Sequence, residues 1–306
     1  MHKFKFTGMK LVTGFLLLAL TAASACTTVK NSFWNSAEAY LGQMPPTDTP
    51  KIFAAGMLSD SGIVLGRIAF SSDGKEFYYG YARNWFDWYG TGVKQMSFAG
   101  NKWNRPKVLF ENLTIPTLSI DGTKLYFGGR NSEIWQSERV NNEWRSPRVM
   151  LNKKYGLYNL QPTNSGTFYV GSNANGGAKN DYSTYDFCTL TMSKTDTVIK
   201  SLGSPLNTPG FDGDLYVAPD ESYMIVSAEE TKDYESELHI SFKRSDKTWT
   251  TPQSLSPLIN DGRAHRFGQY VSPDGKYLFY TQGTSEKDCH IYWIRFDTLL
   301  KKLQSS

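Results

Sequence analysis

A short pattern of alternating apolar and polar positions recurs along the chain. Its clearest copy, residues 272–280, reads Ser-Pro-Asp-Gly-Lys-Tyr-Leu-Phe-Tyr. Pro273 sets φ for the first turn position, Asp274 can bond its own backbone, and Gly275 accepts the positive φ that closes a hairpin. The aromatic and apolar run after the turn suits a pleated, half-buried surface. The segment therefore predicts a β-hairpin.

Four further copies of this hairpin give the chain a repeat. They lie at residues 71–79, 119–127, 164–170 and 218–226. With Asp73, Asp121, Ser165, Asp220 and Asp274 as markers, the spacings are 48, 44, 55 and 54 residues. A period near fifty residues with several strands in each unit is typical of a propeller.

Each unit reads as four strands, and the fourth follows a second repeated turn, Trp-x-x-Pro, at residues 103–106, 144–147 and 249–252. The fifth unit lacks a fourth strand, whereas residues 51–55 form an unassigned strand. Pairing the two would close the ring and remove both open edges. We therefore predict an all-β, five-bladed β-propeller over residues 49–300, closed by an N-terminal strand. It would have six blades if a degenerate unit lies between the third and fourth hairpins.

The two ends of the chain lie outside this array. Lys3, Lys5 and Lys10 precede an apolar stretch at residues 11–23, which is shorter than the ~20 residues of a membrane span. We predict a signal peptide over residues 1–25, a tether over 26–48 with prolines that stop any helix, and a C-terminal tail over 301–306. No substantial helix is expected after residue 48.

The signal peptide ends in Ala-Ser-Ala before Cys26, which resembles a bacterial lipobox. This resemblance implies lipidation of Cys26 and an exported, membrane-anchored lipoprotein in the periplasm or outer membrane. An ordinary signal peptide followed by a chance cysteine is the alternative.

The charge of the chain belongs mostly to that leader. There are 33 Lys and Arg residues against 29 Asp and Glu residues, and the leader contains three of the lysines and no acid. The mature chain would carry 30 against 29, a net charge of about +1. Nothing in this balance indicates a nucleic-acid partner or an acidic membrane surface. Membrane contact is expected only through the lipid anchor.

The repeat unit resembles a known family. The Ser-Pro-Asp-Gly-Lys-x-Leu-Phe hairpin, followed by x-Ile-Tyr and Trp-x-x-Pro, is similar to the WD40-like propeller repeats of TolB-type exported bacterial proteins, over residues 40–296. Tyr-Leu-Gly-Gln at 40–43, Pro-Pro at 45–46 and Phe-Ala-Ala-Gly at 53–56 resemble one lipoprotein subgroup. The resemblance implies the propeller fold and no settled activity, because such propellers serve many roles.

Residues that recur with the repeat are expected to be structural. Asp73, Asp121, Asp220 and Asp274 recur with the hairpin turn, so each should cap its own turn. Trp103, Trp144 and Trp249 should pack against neighbouring blades. Cys188 and Cys289 fall in the third strands of non-adjacent blades, too far apart for a disulfide, so two buried thiols are expected.

The candidate site lies on loops that do not repeat, because function is commonly carried by loops on a rigid scaffold. Loops between second and third strands share one face of a propeller with the links between blades. Rigid aromatics beside arginines there suit a peptide, protein or sugar ligand. Alternatively, Trp85 and Trp88 fold back onto the domain. The candidate ligand-binding residues are Arg83, Trp85, Trp88, Tyr89, Asp212, Asp214, Arg263, His265 and Arg266.

Signals for catalysis are poor. The four histidines include no His-x-x-x-His pair, and neither a Cys-x-x-Cys spacing nor a Gly-x-Ser-x-Gly motif occurs. No catalytic residue, metal or cofactor is predicted. The sequence favours a non-enzymatic binding module of the cell envelope, whose ligand is an envelope protein, a peptide or a glycan. The alternative is a carbohydrate-active enzyme, a glycoside hydrolase or lyase, that uses channel-mouth carboxylates such as Asp212, Asp214 or Asp261.

Overall fold

The computed structural model describes residues 1, 33–58, 63–85, 87–193, 196–228, 231, 233, 235–285 and 287–305. The predicted signal peptide beyond Met1, Cys26 and the first part of the tether lie outside the described residues, as does the side chain of Trp88. Contacts divide the chain into residues Met1–Asn31 and Ser32–Ser306, and only the second unit is described below. No helix in the described part of the chain is long and apolar enough to cross a membrane.

The second unit is built almost entirely from strands. Strand β1 (Lys51–Ile52) comes first. Blade 1 contains β2 (Ile63–Phe70), β3 (Glu76–Ala82), β4 (Gly92–Ala99), β5 (Lys102–Trp103) and β6 (Lys107–Glu111). Blade 2 contains β7 (Leu113–Leu118), β8 (Lys124–Gly129), β9 (Ile134–Val140), β10 (Glu143–Trp144) and β11 (Arg148–Leu151).

The remaining blades are four-stranded or completed by β1. Blade 3 contains β12 (Leu157–Pro162), β13 (Phe168–Ser172), β14 (Asp186–Met192) and β15 (Thr197–Ser201). Blade 4 contains β16 (Leu215–Val217), β17 (Tyr223–Ala228), β18 (Glu237–Phe242) and β19 (Gln253–Ser254). Blade 5 contains β20 (His265–Val271), β21 (Tyr277–Ser285) and β22 (Asp288–Arg295). The helices are α1 (Ala39–Gly42) and α2 (Asp297–Gln304), with 3-10 turns at Phe33–Asn35, Trp88–Gly90 and Tyr182–Thr184.

Every blade is an antiparallel meander that starts at its inner strand. In blades 1 and 2 the outer strand is in two pieces that both pair with the third strand, β5 and β6 with β4, and β10 and β11 with β9. The Trp-x-x-Pro turn lies between the pieces, because proline has no N–H for the sheet. The structure is a five-bladed β-propeller, as the repeat predicts. Loops at residues 173–185 and 202–214 fill the long interval where a sixth blade was considered.

The ring closes as predicted. Strand β1 pairs antiparallel with β22, with Lys51 opposite Trp293. The pairing extends on both sides, because the N–H of Phe53 donates to Ile291 O at 2.7 Å and the N–H of Arg295 donates to Thr47 O at 3.0 Å. The N-terminal segment is therefore the outer strand of blade 5.

Residues 33–58, which we call the strap, are packed onto the propeller. Trp34, Tyr40, Leu41 and Phe53 are buried in one apolar cluster with side chains of blades 1 and 5. The hydroxyl of Tyr40 donates to Asp274 Oδ2 at 2.7 Å. The predicted tether extends to residue 48, but from residue 33 onward the aromatic side chains bury against the blades, and this part belongs to the folded unit.

The chain ends differently from the predicted C-terminal tail. Helix α2 contains Leu299, Leu300 and Leu303, which pack against the core between blades 4 and 5. Leucine at these spacings lies on one helix face, which is enough to dock a short helix. The helix therefore covers apolar side chains of the two blades, including Phe296.

The repeated residues have the predicted structural roles. Asp73 Oδ1 accepts from Ser71 Oγ at 2.6 Å and from the N–H of Lys75 at 3.1 Å, and the other turn aspartates bond their turns in the same way. Cys188 and Cys289 are free and buried. We call the end of the ring that carries these hairpin turns the turn face. The opposite end, with the loops between second and third strands and the links between blades, is the loop face.

Candidate functional site

The centre of the ring is filled by the side chain of Arg67. This residue of β2 is 1% exposed. Its Nε donates to Gln269 O and its Nη1 to Thr117 Oγ1, both at 3.3 Å, and its Nη2 donates to Leu215 O. Arg67 thus joins the inner strand of blade 1 to those of blades 2, 4 and 5. Burial lowers the pKa of Arg67 to about 10, so the guanidinium remains charged at neutral pH.

Asp214 belongs to the same buried network. Its side chain is 5% exposed, and its Oδ1 accepts from Asn159 Nδ2 at 3.3 Å. Its charge interacts favourably with Arg67 and partly offsets the effect of burial on the arginine. A buried charge is stable only when paired and hydrogen-bonded. The structure therefore places this predicted ligand-binding residue in the interior, in a structural position.

Asp212 is also buried, on the link between blades 3 and 4. It is 2% exposed, and it accepts from the N–H of Thr208 at 2.6 Å and from Thr208 Oγ1 at 3.1 Å. Burial raises the pKa of Asp212 to about 7, although the Thr208 bonds act in the opposite direction. Because each oxygen accepts one of these bonds, the carboxyl fixes the link.

Arg266 points into the protein as well. It is 1% exposed and donates to Gln282 Oε1 at 3.1 Å, to Ser236 O at 3.1 Å, to Gly262 O at 3.0 Å and to Asp261 O. Burial lowers its pKa. The residue is the second of β20, so alternation turns it inward, where it holds the preceding link.

Trp85 folds back onto blade 5. Its ring centroid lies 5.1 Å from that of His265, which in turn stacks on Phe267 at 4.3 Å. Trp85 packs against a small buried cluster that includes Phe267 and Cys289. The structure thus brings together two predicted site residues, Trp85 and His265, but uses them largely for packing.

Three of the predicted residues are exposed on the loop face. The side chain of Arg83 is 68% exposed and forms an ion pair with Asp87. Tyr89 is 71% exposed, and its ring lies 4.3 Å from the guanidinium of Arg130, which also bonds its hydroxyl. The side chain of Arg263 is 78% exposed, and its Nε lies 2.5 Å from Glu235 Oε1.

The structure also reveals an aromatic cluster made by Tyr158, Tyr182 and Phe211. Their ring centroids are 5.7 to 5.9 Å apart, all three pairs are edge-to-face, and all three rings are partly exposed. Tyr182 also stacks on the buried Tyr185 at 5.1 Å. Tyr158 lies in the inner strand β12 next to Asn159, which bonds Asp214 in the buried network, so the cluster lies beside the filled centre of the ring.

Sequence reasoning found this cluster only in part. Tyr182 and Phe211 lie in loops that do not repeat, where candidates are expected, whereas Tyr158 lies in strand β12, in which the sequence predicts no candidate. Strand β12 is bulged between Tyr158 and Gln161, with φ of +60° at Asn159. A bulge re-aims the neighbouring side chain, and no pattern around Tyr158 indicates it.

No group of three or more His, Cys, Asp or Glu side chains that could hold a metal occurs among the described residues. The loop face offers partly exposed aromatic rings and paired arginines, beside exposed polar side chains such as Asn180 and Asp181. This arrangement is suited to contact and hydrogen bonding.

Comparison with known proteins shows similarity of fold only. No family model and no curated protein matches the chain. TolB from Acinetobacter baumannii is 14% identical with a TM-score of 0.47, over 78% of this chain and 55% of that one. A putative TolB from Agrobacterium tumefaciens is 14% identical with a TM-score of 0.46, over 76% and 77%. Oligogalacturonate lyase from Vibrio parahaemolyticus is 12% identical with a TM-score of 0.41, over 83% and 71%.

The chain thus spans about half the length of the Acinetobacter TolB. The neighbours include two TolB proteins, one of them putative, and a lyase. At this level of similarity the likeness concerns the propeller and carries no activity over to this chain.

Proposed function

We propose that this protein is a non-enzymatic binding module of the cell envelope, which binds a protein, peptide or glycan on its loop face. The observation that carries the proposal is the aromatic cluster of Tyr158, Tyr182 and Phe211, partly exposed beside the closed channel. Arg67 and Asp214 are held by hydrogen bonds in the interior, since Arg67 donates to Leu215 O and Asp214 Oδ1 accepts from Asn159 Nδ2 at 3.3 Å. The cluster therefore offers a ligand three partly exposed aromatic rings.

The cluster has the rigidity that binding surfaces need. Tyr182 rests on the buried Tyr185, and each ring of the cluster contacts the other two. Aromatic side chains offer a large contact area, with few rotatable bonds to immobilise. Tyrosine also brings a hydroxyl that hydrogen-bonds at the edge of an apolar contact. The same properties serve a peptide and a sugar ring.

The envelope location rests on the sequence. An exported lipoprotein anchored through Cys26 would carry the propeller at a membrane surface in the periplasm or outer membrane. A Cys26→Ser variant should fail to incorporate radiolabelled palmitate and should leave the membrane fraction. Unchanged labelling and unchanged fractionation would contradict the anchor.

Binding is tested with a loop-face variant and a matched control. Tyr182→Ala with Phe211→Ala removes two rings of the cluster, whereas Val149→Ala with Val198→Ala trims two exposed side chains of outer strands. Each protein is incubated with solubilised envelope, and retained proteins and sugars are identified by mass spectrometry and monosaccharide analysis. A component retained by wild type and by the control variant, but lost from the loop-face variant, is expected. Identical retention by all three would contradict loop-face binding.

The alternative, a carbohydrate-active enzyme, draws its support from Asp212. Burial raises the pKa of Asp212 to about 7, which suits a general acid, but the carboxyl is 2% exposed and both oxygens accept from Thr208, so this role requires the link to open. Asp212 directly follows Phe211 of the aromatic cluster. The purified protein should then release reducing ends or unsaturated products from one of a panel of polysaccharides, and Asp212→Asn should abolish the release. Absence of products over the whole panel would reject the enzyme.

A further inference from the structure

The seam between blades 1 and 2 opens on the turn face as a polar cleft of about 450 Å³. One wall is the hairpin turn of blade 1, with Asp73 and Glu76. The other is the hairpin turn of blade 2, with Asp121 and Gly122, and the base carries Arg139. This volume lies in the range of small-molecule sites. The cleft is at the opposite end of the propeller from the aromatic cluster.

The cleft is open because Gly122 has no side chain. In the matching seam between blades 3 and 4, the residue after the turn aspartate is Glu221. Its carboxylate accepts from Thr163 Oγ1 at 3.1 Å and from Ser165, and pairs with Lys243. Gly122 and Glu221 have similar backbones, with φ of +69° and +62°, but a Cβ added at Gly122 would meet nothing within 4 Å.

The cleft holds its arginine rigidly. The guanidinium of Arg139 lies 4.7 Å from the ring centroid of Trp144 and pairs with Glu76. Glu76 is itself fixed by the hydroxyl of Tyr78 at 3.0 Å and by Gln95 Nε2 at 3.3 Å. The Nε of Arg139 finds no acceptor among the described residues. That nitrogen is itself buried, so Arg139 is held in a fixed position and would offer a ligand only its other guanidinium nitrogens.

The two walls offer acceptors. Asp73 and Asp121 each use Oδ1 to cap their own turns, while Oδ2 of each takes no part in those bonds. Hydrogen bonds from Ser119 and Thr123 lower the pKa of Asp121 to about 2, so it is ionised at neutral pH. The fixed carboxylates can accept hydrogen bonds and the fixed guanidinium can donate them. A sugar hydroxyl can both donate and accept, so it matches both kinds of group.

From this placement we propose that the cleft between blades 1 and 2 is a second binding site, for a neutral saccharide. The carboxylates of Asp73, Glu76 and Asp121 face Lys75 and Arg139, and Lys124 lies near Asp121. These opposite charges offset one another, so the cleft does not select a strongly charged ligand. Neighbouring ring hydroxyls can instead bridge a carboxylate and the guanidinium, with charge-assisted hydrogen bonds. Partly exposed Phe98 and Leu118 supply apolar surface for a sugar ring.

The test uses a blocking substitution and its matched control. Gly122→Glu should fill the cleft as Glu221 fills its own seam. Gly275→Glu places the same side chain at φ of +73°, also with nothing within 4 Å, on the turn of blade 5. The two variants share the same backbone strain but differ in the seam they occupy.

Wild type is screened on a printed array of neutral and acidic glycans, and the best ligand is titrated by saturation-transfer NMR. A neutral glycan should bind, with at least a tenfold loss of affinity in Gly122→Glu and no loss in Gly275→Glu. Asp121→Asn, which retains the turn cap, should also weaken binding, whereas Asp220→Asn on the blade 4 turn should not.

Three results would overturn the site: no neutral glycan bound, equal affinity in Gly122→Glu and wild type, or binding of a tetralysine peptide that depends on Gly122 while no glycan binds. The last result would identify a cationic-peptide site. The loop-face variant Tyr182→Ala with Phe211→Ala should keep wild-type glycan affinity in the cleft, so failure of either site is distinguishable from failure of the other.

Discussion

The indole Nε1 of Trp144 donates a 3.0 Å hydrogen bond to the hydroxyl of Tyr78 across the seam between blades 2 and 1. Trp249 meets Tyr169 at the matching place between blades 4 and 3, with ring centroids 6.2 Å apart. Trp103 of blade 1 donates to Glu38 O of the strap at 2.8 Å. The tryptophan of the Trp-x-x-Pro repeat thus joins blades 2 and 4 to the preceding blade, and joins blade 1 to the strap.

A double-mutant cycle on Tyr78→Phe and Trp144→Phe measures that seam bond. We expect a coupling energy of about 1 kcal/mol in the free energy of unfolding, the usual net value of one hydrogen bond. The same cycle on Tyr169→Phe and Trp249→Phe is the control. No hydrogen bond joins that pair among the described residues, so its coupling should fall below about 0.5 kcal/mol. Equal couplings in both seams would contradict the assignment.

Replacement of the buried Arg67 should destabilise the fold strongly. Arg67→Met removes three inter-blade bonds and leaves Asp214 buried without its cation. Loss of one partner from a buried charged network typically costs about 3–5 kcal/mol, measured here by urea unfolding. The exposed Arg130→Met should stay within about 0.5 kcal/mol of wild type. A cost below 1 kcal/mol for Arg67→Met would show that the channel tolerates the loss.

The strap should contribute to stability as a core element does. Phe53 is 2% exposed and touches aromatic rings of blades 1 and 5. Phe53→Ala should lower the free energy of unfolding by about 3–5 kcal/mol. Met44 on the same strap is 84% exposed, so Met44→Ala should change it by less than about 0.5 kcal/mol. Similar effects of the two substitutions would mean that the strap is loosely attached.

Asp212 should make stability fall as pH rises toward neutrality. Its pKa in the folded protein, about 7, lies above the unfolded value of about 3.9. Between these values the folded state binds more protons, so stability decreases from about pH 4 to about pH 7 and the penalty is complete above pH 7. Each unit of pKa shift corresponds to about 1.4 kcal/mol.

Asp212→Asn should therefore flatten that part of the stability curve and raise the melting temperature at pH 8 more than at pH 4. The measurement is thermal unfolding of both proteins across the range. An equal change at the two pH values would show that Asp212 is ionised throughout.

The fold was predictable because its signals are local. A turn that contains Asp, Gly or both marks each blade, and the missing fourth strand of the last unit indicated how the ring closes. The site was less predictable, because burial depends on distant contacts. Asp214 and Arg266 looked like loop residues, yet the inner strands and links carry them into the interior. Residues 33–48 were predicted to be a tether because Pro45 and Pro46 indicate that no helix continues there. The few aromatic residues before these prolines form no regular pattern that would indicate burial.

The aromatic cluster was not predictable from the sequence either, because it too depends on contacts between distant segments. Its rings come from an inner strand, a 3-10 turn and an inter-blade link. The fold of blade 3 and its link to blade 4 bring these three segments together, and β12 is bulged between Tyr158 and Gln161. Composition and spacing contain no trace of that juxtaposition.

Photocrosslinking in living cells tests loop-face binding most directly. Benzoylphenylalanine is placed at Tyr182 or Phe211, and at the exposed Val198 and Val149 as controls on two outer strands. The account predicts a discrete adduct from Tyr182 and Phe211 that the two control positions do not give. Adducts of equal yield from all four positions, or from the controls alone, would contradict it.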